Sequence, residues 1–222
     1  MHEFSPLEQN LWSLGGLGAW TIVYLLMIRR GFKDKSFGMP VLALCINIGW
    51  EFYYTTFAAA PFANKIGTGI YLIADLGVLV TCIKFGKDDF DSPLIKKYFY
   101  PIIAASLIGG FLLVRQFDQS FHDPVGGTSA TFTTLLLSVL MLAMILRRNS
   151  VNGQSFIIGI AVLVGDVCGW AMNLIAYQTV DDSISVPWVN LINIILIACN
   201  VAYLFLYMKI AKRDGIPLWK RF

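Results

Sequence analysis

The sequence predicts an all-α polytopic membrane protein, a seven-transmembrane-helix bundle with its N-terminus outside and its C-terminus in the cytoplasm. Three observations predict it. The 222 residues are 57% hydrophobic and 14% charged, with a mean hydropathy of +0.66, which is more apolar surface than one water-soluble core can hide. Seven apolar runs approach the roughly 20 helical residues that cross a hydrocarbon layer about 30 Å thick. The basic residues alternate from loop to loop, as they do when short cytoplasmic loops collect positive charge.

The runs cover approximately 10–28, 37–60, 66–84, 99–114, 130–146, 155–178 and 187–208, each bounded by charge, Gly or Pro, and the fourth is the shortest. The leading MHEFSPLEQN lacks the basic region of a secretory signal, and no cleavage site follows it, so the first run reads as a mature span. Pro40, Pro61, Pro101 and Pro187 fall at or near span ends. Loop one holds Arg29, Arg30, Lys33 and Lys35; loop three holds Lys84, Lys87, Lys96 and Lys97; loop five holds Arg147 and Arg148; the tail holds Lys209, Lys212, Arg213, Lys220 and Arg221. Of the 17 basic residues, only Lys65 and Arg115 lie elsewhere. A missed or spurious span would scramble that alternation. Trp12 and Trp188 at outer span ends, and Trp219 on the inner side, read as interfacial anchors. The loops are too short for a soluble domain and there is no strong internal repeat, so residues 1–222 form one transmembrane domain and function lies inside the bundle.

Several function classes are excluded. A net charge of +3, dispersed over the loops, does not suit nucleic-acid binding. Cys45, Cys82, Cys168 and Cys199 sit in apolar stretches without metal-ligand spacing and read as packing residues. Two histidines offer no metal set, and His122 with Asp123 sits in an outer loop. No Lys stands in the middle of span seven to carry a retinal Schiff base. The run Asp88, Asp89, Phe90, Asp91, Ser92 is similar to aspartate-rich magnesium-diphosphate motifs, but Ser92 breaks its last position and Lys residues flank it, so it reads as a solvated loop. Asp181 and Asp182 read as solvent-facing on the outer side.

Three of the 14 acidic residues, Glu51, Asp75 and Asp166, lie well inside spans. An ionisable group at membrane depth costs several kcal/mol unless paired, hydrated or neutral, so it faces the bundle interior and marks function. Asp75 and Asp166 are near span midpoints and Glu51 is about 4 Å past one, so all three could open into one cavity. No Lys or Arg lies at their depth; desolvation then disfavours charge and leaves at least one carboxyl protonated, a Brønsted acid in a dry site. Trp50, Tyr53 and Tyr54 flank Glu51, with Asn47 one turn before it and Thr55 one turn after it, and Tyr71 is four residues before Asp75. Asp166, Trp170 and Asn173 share a helix face, and Asn193, Asn200 and Tyr207 recur every seven residues beside Asn190 and Tyr203. Such stripes can hold helices together by hydrogen bonds, or can form a pocket that donates a proton and then stabilises a cation through ring quadrupoles.

Gly49-Trp50-Glu51-Phe52 followed by Tyr53 and Tyr54, then Asp75-Leu76-Gly77 ahead of Lys84-Phe85-Gly86, resembles the small seven-helix integral-membrane terpene cyclases of fungal meroterpenoid and indole-diterpene pathways and their bacterial relatives. The likeness spans most of the chain in length, helix count and motif order. It implies metal-free and cofactor-free cyclisation of the polyprenyl tail of a lipophilic, prenylated substrate, begun by protonation of a terminal epoxide or alkene, with Glu51 an essential acid. That family also uses an Asp in its last helix shortly before a Tyr; Asn200 with Tyr203 stands there, a departure that leaves Glu51 alone or assisted by Asp75 or Asp166.

The leading expectation is therefore a terpene cyclase taking a polyprenyl or prenylated substrate from the bilayer. Glu51 protonates its distal end; Trp50, Tyr54, Tyr71, Trp170 and Tyr203 line the cation's path, with Asn173 and Asn193 as further substrate contacts. Deprotonation to Asp75, Asp166 or a bound water ends the reaction. A proton-coupled transporter or seven-helix sensor could use the same carboxyls as a relay, although no Pro-interrupted helix pair occurs at matching positions of two halves. A structural protein held by polar stripes is the third reading.

Overall fold

The computed structural model describes residues 4–179 and 186–221; Asp181 and Asp182 lie outside them. Among the described residues the secondary structure is helical without strands: α1 (Pro6–Asp34), α2 (Val41–Thr56), α3 (Phe62–Phe85), α4 (Pro93–Phe121), α5 (Gly127–Arg148), α6 (Phe156–Thr179) and α7 (Val186–Arg213). Six of these helices are long and apolar enough to cross a membrane. The sixth and seventh runs are reproduced to within a few residues; two others differ in instructive ways.

α2 has 16 residues, about 24 Å of helix, against the longer run 37–60. Pro40 fixes its N-terminal boundary, and the chain leaves the helix at Phe57 for a turn that ends at Pro61, the N-cap of α3. α4, expected to be the shortest, has 29 residues and carries Pro101 inside it rather than at its end. Hydropathy reports the stretch in contact with acyl chains; a helix started by Pro93 continues through its polar ends without needing apolar side chains there. α1 begins on a capping box, in which Glu8 N–H donates to Ser5 Oγ and Ser5 N–H donates to Glu8 Oε2 at 2.8 Å, and stops at Lys35 in the left-handed conformation (φ 50°).

Helix contacts run α1 to α3, α3 to α2, α2 to α5, α5 to α7, α7 to α6 and α6 back to α1, with α4 packed outside along α2. Six helices thus close a ring around an interior, and Leu14, Ile73, Ile108, Leu112 and Ile194 point outward, exposed. Buried Tyr24, Met27, Leu44, Val78, Cys82, Leu137, Met141 and Ile158 belong to one core cluster. The four cysteines are free, Cys45, Cys82 and Cys168 fully buried.

Loops one, three and five and the tail meet at one end of the ring, as the charge alternation requires. Asp34 accepts from Arg30, from Arg221 and from Gly153 N–H. Asp89 accepts from Arg147 and Arg148, and Arg213 bonds Asn149. The expectation of a free solvated loop at Asp88–Asp91 is corrected in part: Asp89 pins loop three to the end of α5, because Arg147 and Arg148 project from the last turn of that helix. At the other end Tyr53 O–H donates to Asp118 at 2.7 Å, and Asp123, itself buried, accepts Thr128 and Ser129 N–H groups and so caps α5.

Candidate active site

The acid at the centre of the bundle is built from three ring helices. Tyr24 on α1 donates its O–H to Glu51 Oε1 at 3.1 Å; Asn47 on α2, one turn before Glu51, donates from Nδ2 to Tyr24 Oη at 3.0 Å and to Asp75 Oδ2 on α3 at 2.7 Å. Tyr24 and Asn47 thus link the two carboxyls through a chain of hydrogen bonds. Glu51 is 2% exposed and Asp75 fully buried. Neither takes part in an ion pair among the described residues. Glu51 Oε2 and Asp75 Oδ1 are buried without a hydrogen-bond partner among the described residues.

Glu51 borders a cavity of about 310 Å³ whose wall includes Trp20, Tyr24, Trp50, Tyr71 and Leu137; Asp75 stands behind Glu51 and outside the wall. Trp50 is fixed by its indole N–H on Ser129 Oγ at 2.9 Å, and Tyr71 by its O–H on Leu17 O at 3.2 Å. Tyr24 lies between Trp20 and Tyr71, with ring centroids 6.0 and 5.5 Å away. Aromatic faces therefore surround the space beside the acid.

A second cavity of about 190 Å³ adjoins the first, sharing Trp20, Ala130 and Thr134 as its wall, and it holds Asp166, Asn173 and Asn193. Asp166 Oδ2 accepts Asn200 Nδ2 at 2.6 Å across the α6/α7 contact. The expectation that three carboxyls open into one cavity is thus corrected: Asp166 faces its own chamber because Trp20 of α1 stands between α6 and α2. No residue of α4 borders either chamber, which leaves Arg115 away from the acids.

Three residues expected along the cation's path border neither chamber. Tyr54 is turned to the α5 cap, its O–H on Asp123 O at 2.8 Å. Trp170 donates to Asn190 Oδ1 at 2.7 Å, and Tyr203 donates to Gln154 Oε1 at 2.8 Å. Trp20 and Tyr24, by contrast, are site residues that the sequence reading passed over. Their only signal was a shared face of span one at i and i+4.

A ring of helices with a buried acid at the wall of a partly aromatic chamber defines the class: a polytopic membrane protein with its candidate site inside the helix bundle. Residues 2–213 match the profile of the Pyr4-like transmembrane terpene cyclases, and the chain belongs to that family. It is 26% identical over 217 residues to the Pyr4-family terpene cyclase mfmH of Annulohypoxylon moriforme, covering 95% of this chain and 89% of the relative. It is 31% identical over 199 residues to the terpene cyclase penB of Penicillium crustosum, covering 85% and 79%, and 30% identical over 177 residues to the terpene cyclase andB of Emericella variicolor, covering 75% and 71%. No solved structure matches. The protein is a multi-pass membrane enzyme of the terpene cyclase class.

Proposed function

We propose that this cyclase protonates the distal end of a polyprenyl chain from Glu51 and folds the resulting cation against Trp20, Tyr24, Trp50 and Tyr71. The observation that carries the reading is the position of Glu51: a buried acid, backed by Asp75, at the wall of an aromatic chamber of about 310 Å³. Burial with no cation beside them disfavours charge on either carboxyl, so transfer starts from a neutral pair and leaves a single carboxylate. That proton passes from Glu51 to a terminal epoxide oxygen or alkene carbon. Tyr24 O–H and the Asn47 amide then hold the charge left on the two carboxyls, while ring faces hold the cation. Loss of a C–H proton forms the product alkene, and the pair, now one proton short, is the base that recovers it. An apolar chamber keeps water from capturing the cation.

The test is conversion by purified protein in liposomes. Prenylated quinols, prenylated indoles and free polyprenyl compounds are supplied, and products are read by mass spectrometry and NMR. Cyclised isomers of a prenylated compound are expected; substrate-driven proton flux without cyclised product would replace the reading with a transporter. Tyr24→Phe keeps the ring and removes the hydroxyl that serves Glu51. A hydrogen bond to a charged group contributes about 1.5–3 kcal/mol, so turnover of a cyclised substrate is expected to fall by roughly 10- to 100-fold. An unchanged rate would remove Tyr24 from the acid's support.

A further inference from the structure

The smaller chamber differs in chemistry from the one beside it. Asp166 is 3% exposed; Asn200 satisfies its Oδ2, and Asp166 Oδ1 has no partner among the described residues. Part of the donor capacity that borders the chamber is engaged. Asn193 Nδ2 donates to Val189 O at 2.9 Å, Asn173 Nδ2 to Thr131 Oγ1 at 2.6 Å, and the Thr131 and Thr134 hydroxyls to Gly127 O and Ala130 O at 3.0 and 2.7 Å. Among the polar side-chain atoms that border the chamber, Asp166 Oδ1 is the buried one left without a partner. A buried acceptor without a donor is costly, and a ligand that brings the donor relieves it.

Size narrows the ligand. A cavity of about 150 Å³ accepts benzene, so about 190 Å³ takes one aromatic ring with small polar substituents. Trp20, Ala130 and Thr134 form the wall toward the Glu51 chamber, and Trp20 fits there because position 165 is glycine: a Cβ on Gly165 would stand 2.8 Å from Trp20 Nε1. The shared wall sets a ring in the small chamber next to the space that Glu51 borders.

We infer that the Asp166 chamber is the subsite for the substrate's polar head, a single ring carrying a phenolic O–H or an N–H that donates to Asp166 Oδ1, with its prenyl chain in the Glu51 chamber. The inference rests on the cyclase reading above and adds which end of the substrate sits where. Asn200 is a positioning residue: its amide holds the carboxyl in the rotamer that leaves Oδ1 toward the chamber.

The probes are 2-farnesylhydroquinone and its dimethyl ether, equal in chain and ring but differing in donors. Binding is measured by equilibrium dialysis to protein in phosphatidylcholine nanodiscs, corrected for empty discs, in a Glu51→Gln background so that turnover does not intervene. The hydroquinone is expected to bind at least tenfold more tightly than the ether. Asp166→Ala should weaken the hydroquinone at least tenfold and leave the ether unchanged. Asn200→Leu retains the carboxyl but frees it, and is expected to lower the preference severalfold; it carries the test if Asp166→Ala does not fold. Equal affinity for the two probes, or a preference that survives both substitutions, overturns the subsite. Cyclised products from both probes at equal efficiency in wild-type protein would overturn the subsite and leave the cyclase reading intact. Donor-selective binding with no cyclised product from any prenylated compound would do the reverse.

Discussion

Glu51→Gln is expected to abolish cyclisation while the protein still folds. The substitution keeps the side-chain volume in a site where Glu51 is 2% exposed, so no cavity opens. The amide oxygen still accepts the Tyr24 O–H, so the bond that holds the side chain in place is kept. What disappears is the transferable proton. Positioned proton transfer contributes about 10²- to 10⁴-fold to a rate, and among the described residues no other carboxyl borders the chamber; the loss should lie at or beyond the upper end. The measurement is product formation by mass spectrometry from variant protein in liposomes, with its size-exclusion profile and thermal transition compared with wild type. Wild-type turnover in a folded variant would dismiss Glu51 as the proton donor.

The acid itself was legible because an ionisable residue inside an apolar run has few structural explanations. Its support was not. Tyr24 and Trp20 are ordinary aromatic residues in an apolar span, and their importance comes from the way α1 packs against α3 and α6, which no local pattern encodes. Asn47 was visible as a neighbour of Glu51 one turn away; that its amide bridges Tyr24 and Asp75 depends on three helices meeting at one depth. The polar stripe of span seven shows the opposite failure. Residues 193 and 203 share the buried side of α7, but ten residues of helix separate them by about 15 Å, so Asn193 reaches a chamber and Tyr203 reaches Gln154 at the far end. Periodicity fixed the face and was silent about depth. The Asp166 and Asn200 contact joins α6 to α7 across 34 positions, and hydropathy had no access to it.

Gly49→Ala is expected to produce the largest loss of stability. α2 and α4 touch backbone to backbone at this point: a Cβ on Gly49 would lie 2.5 Å from Phe111 N and 2.7 Å from the Gly110 carbonyl carbon, and a Cβ on Gly110 would lie 2.8 Å from both Cys45 O and Ile46 Cα. Helices in lipid associate largely through such close approach of small residues, since no hydrophobic drive separates protein from acyl chains. A clash with a flexible side chain relaxes cheaply, whereas here the obstructing atoms are backbone and the helices must part. Overpacking costs typically 1–3 kcal/mol, occasionally more, and this geometry belongs at or above the upper value; about 3 kcal/mol corresponds to a fall of roughly 6–12 °C in the thermal midpoint of a chain this long. The activity should fall with it, because Asn47, Trp50 and Glu51 lie within one turn of Gly49 and move with α2. Gly109→Ala is the control, since a Cβ there meets nothing within 4 Å. Thermal unfolding of both variants in detergent micelles reads the difference, and equal midpoints would mean that α2 and α4 do not meet at Gly49 and Gly110, leaving the placement of Glu51 without its rigid outer support.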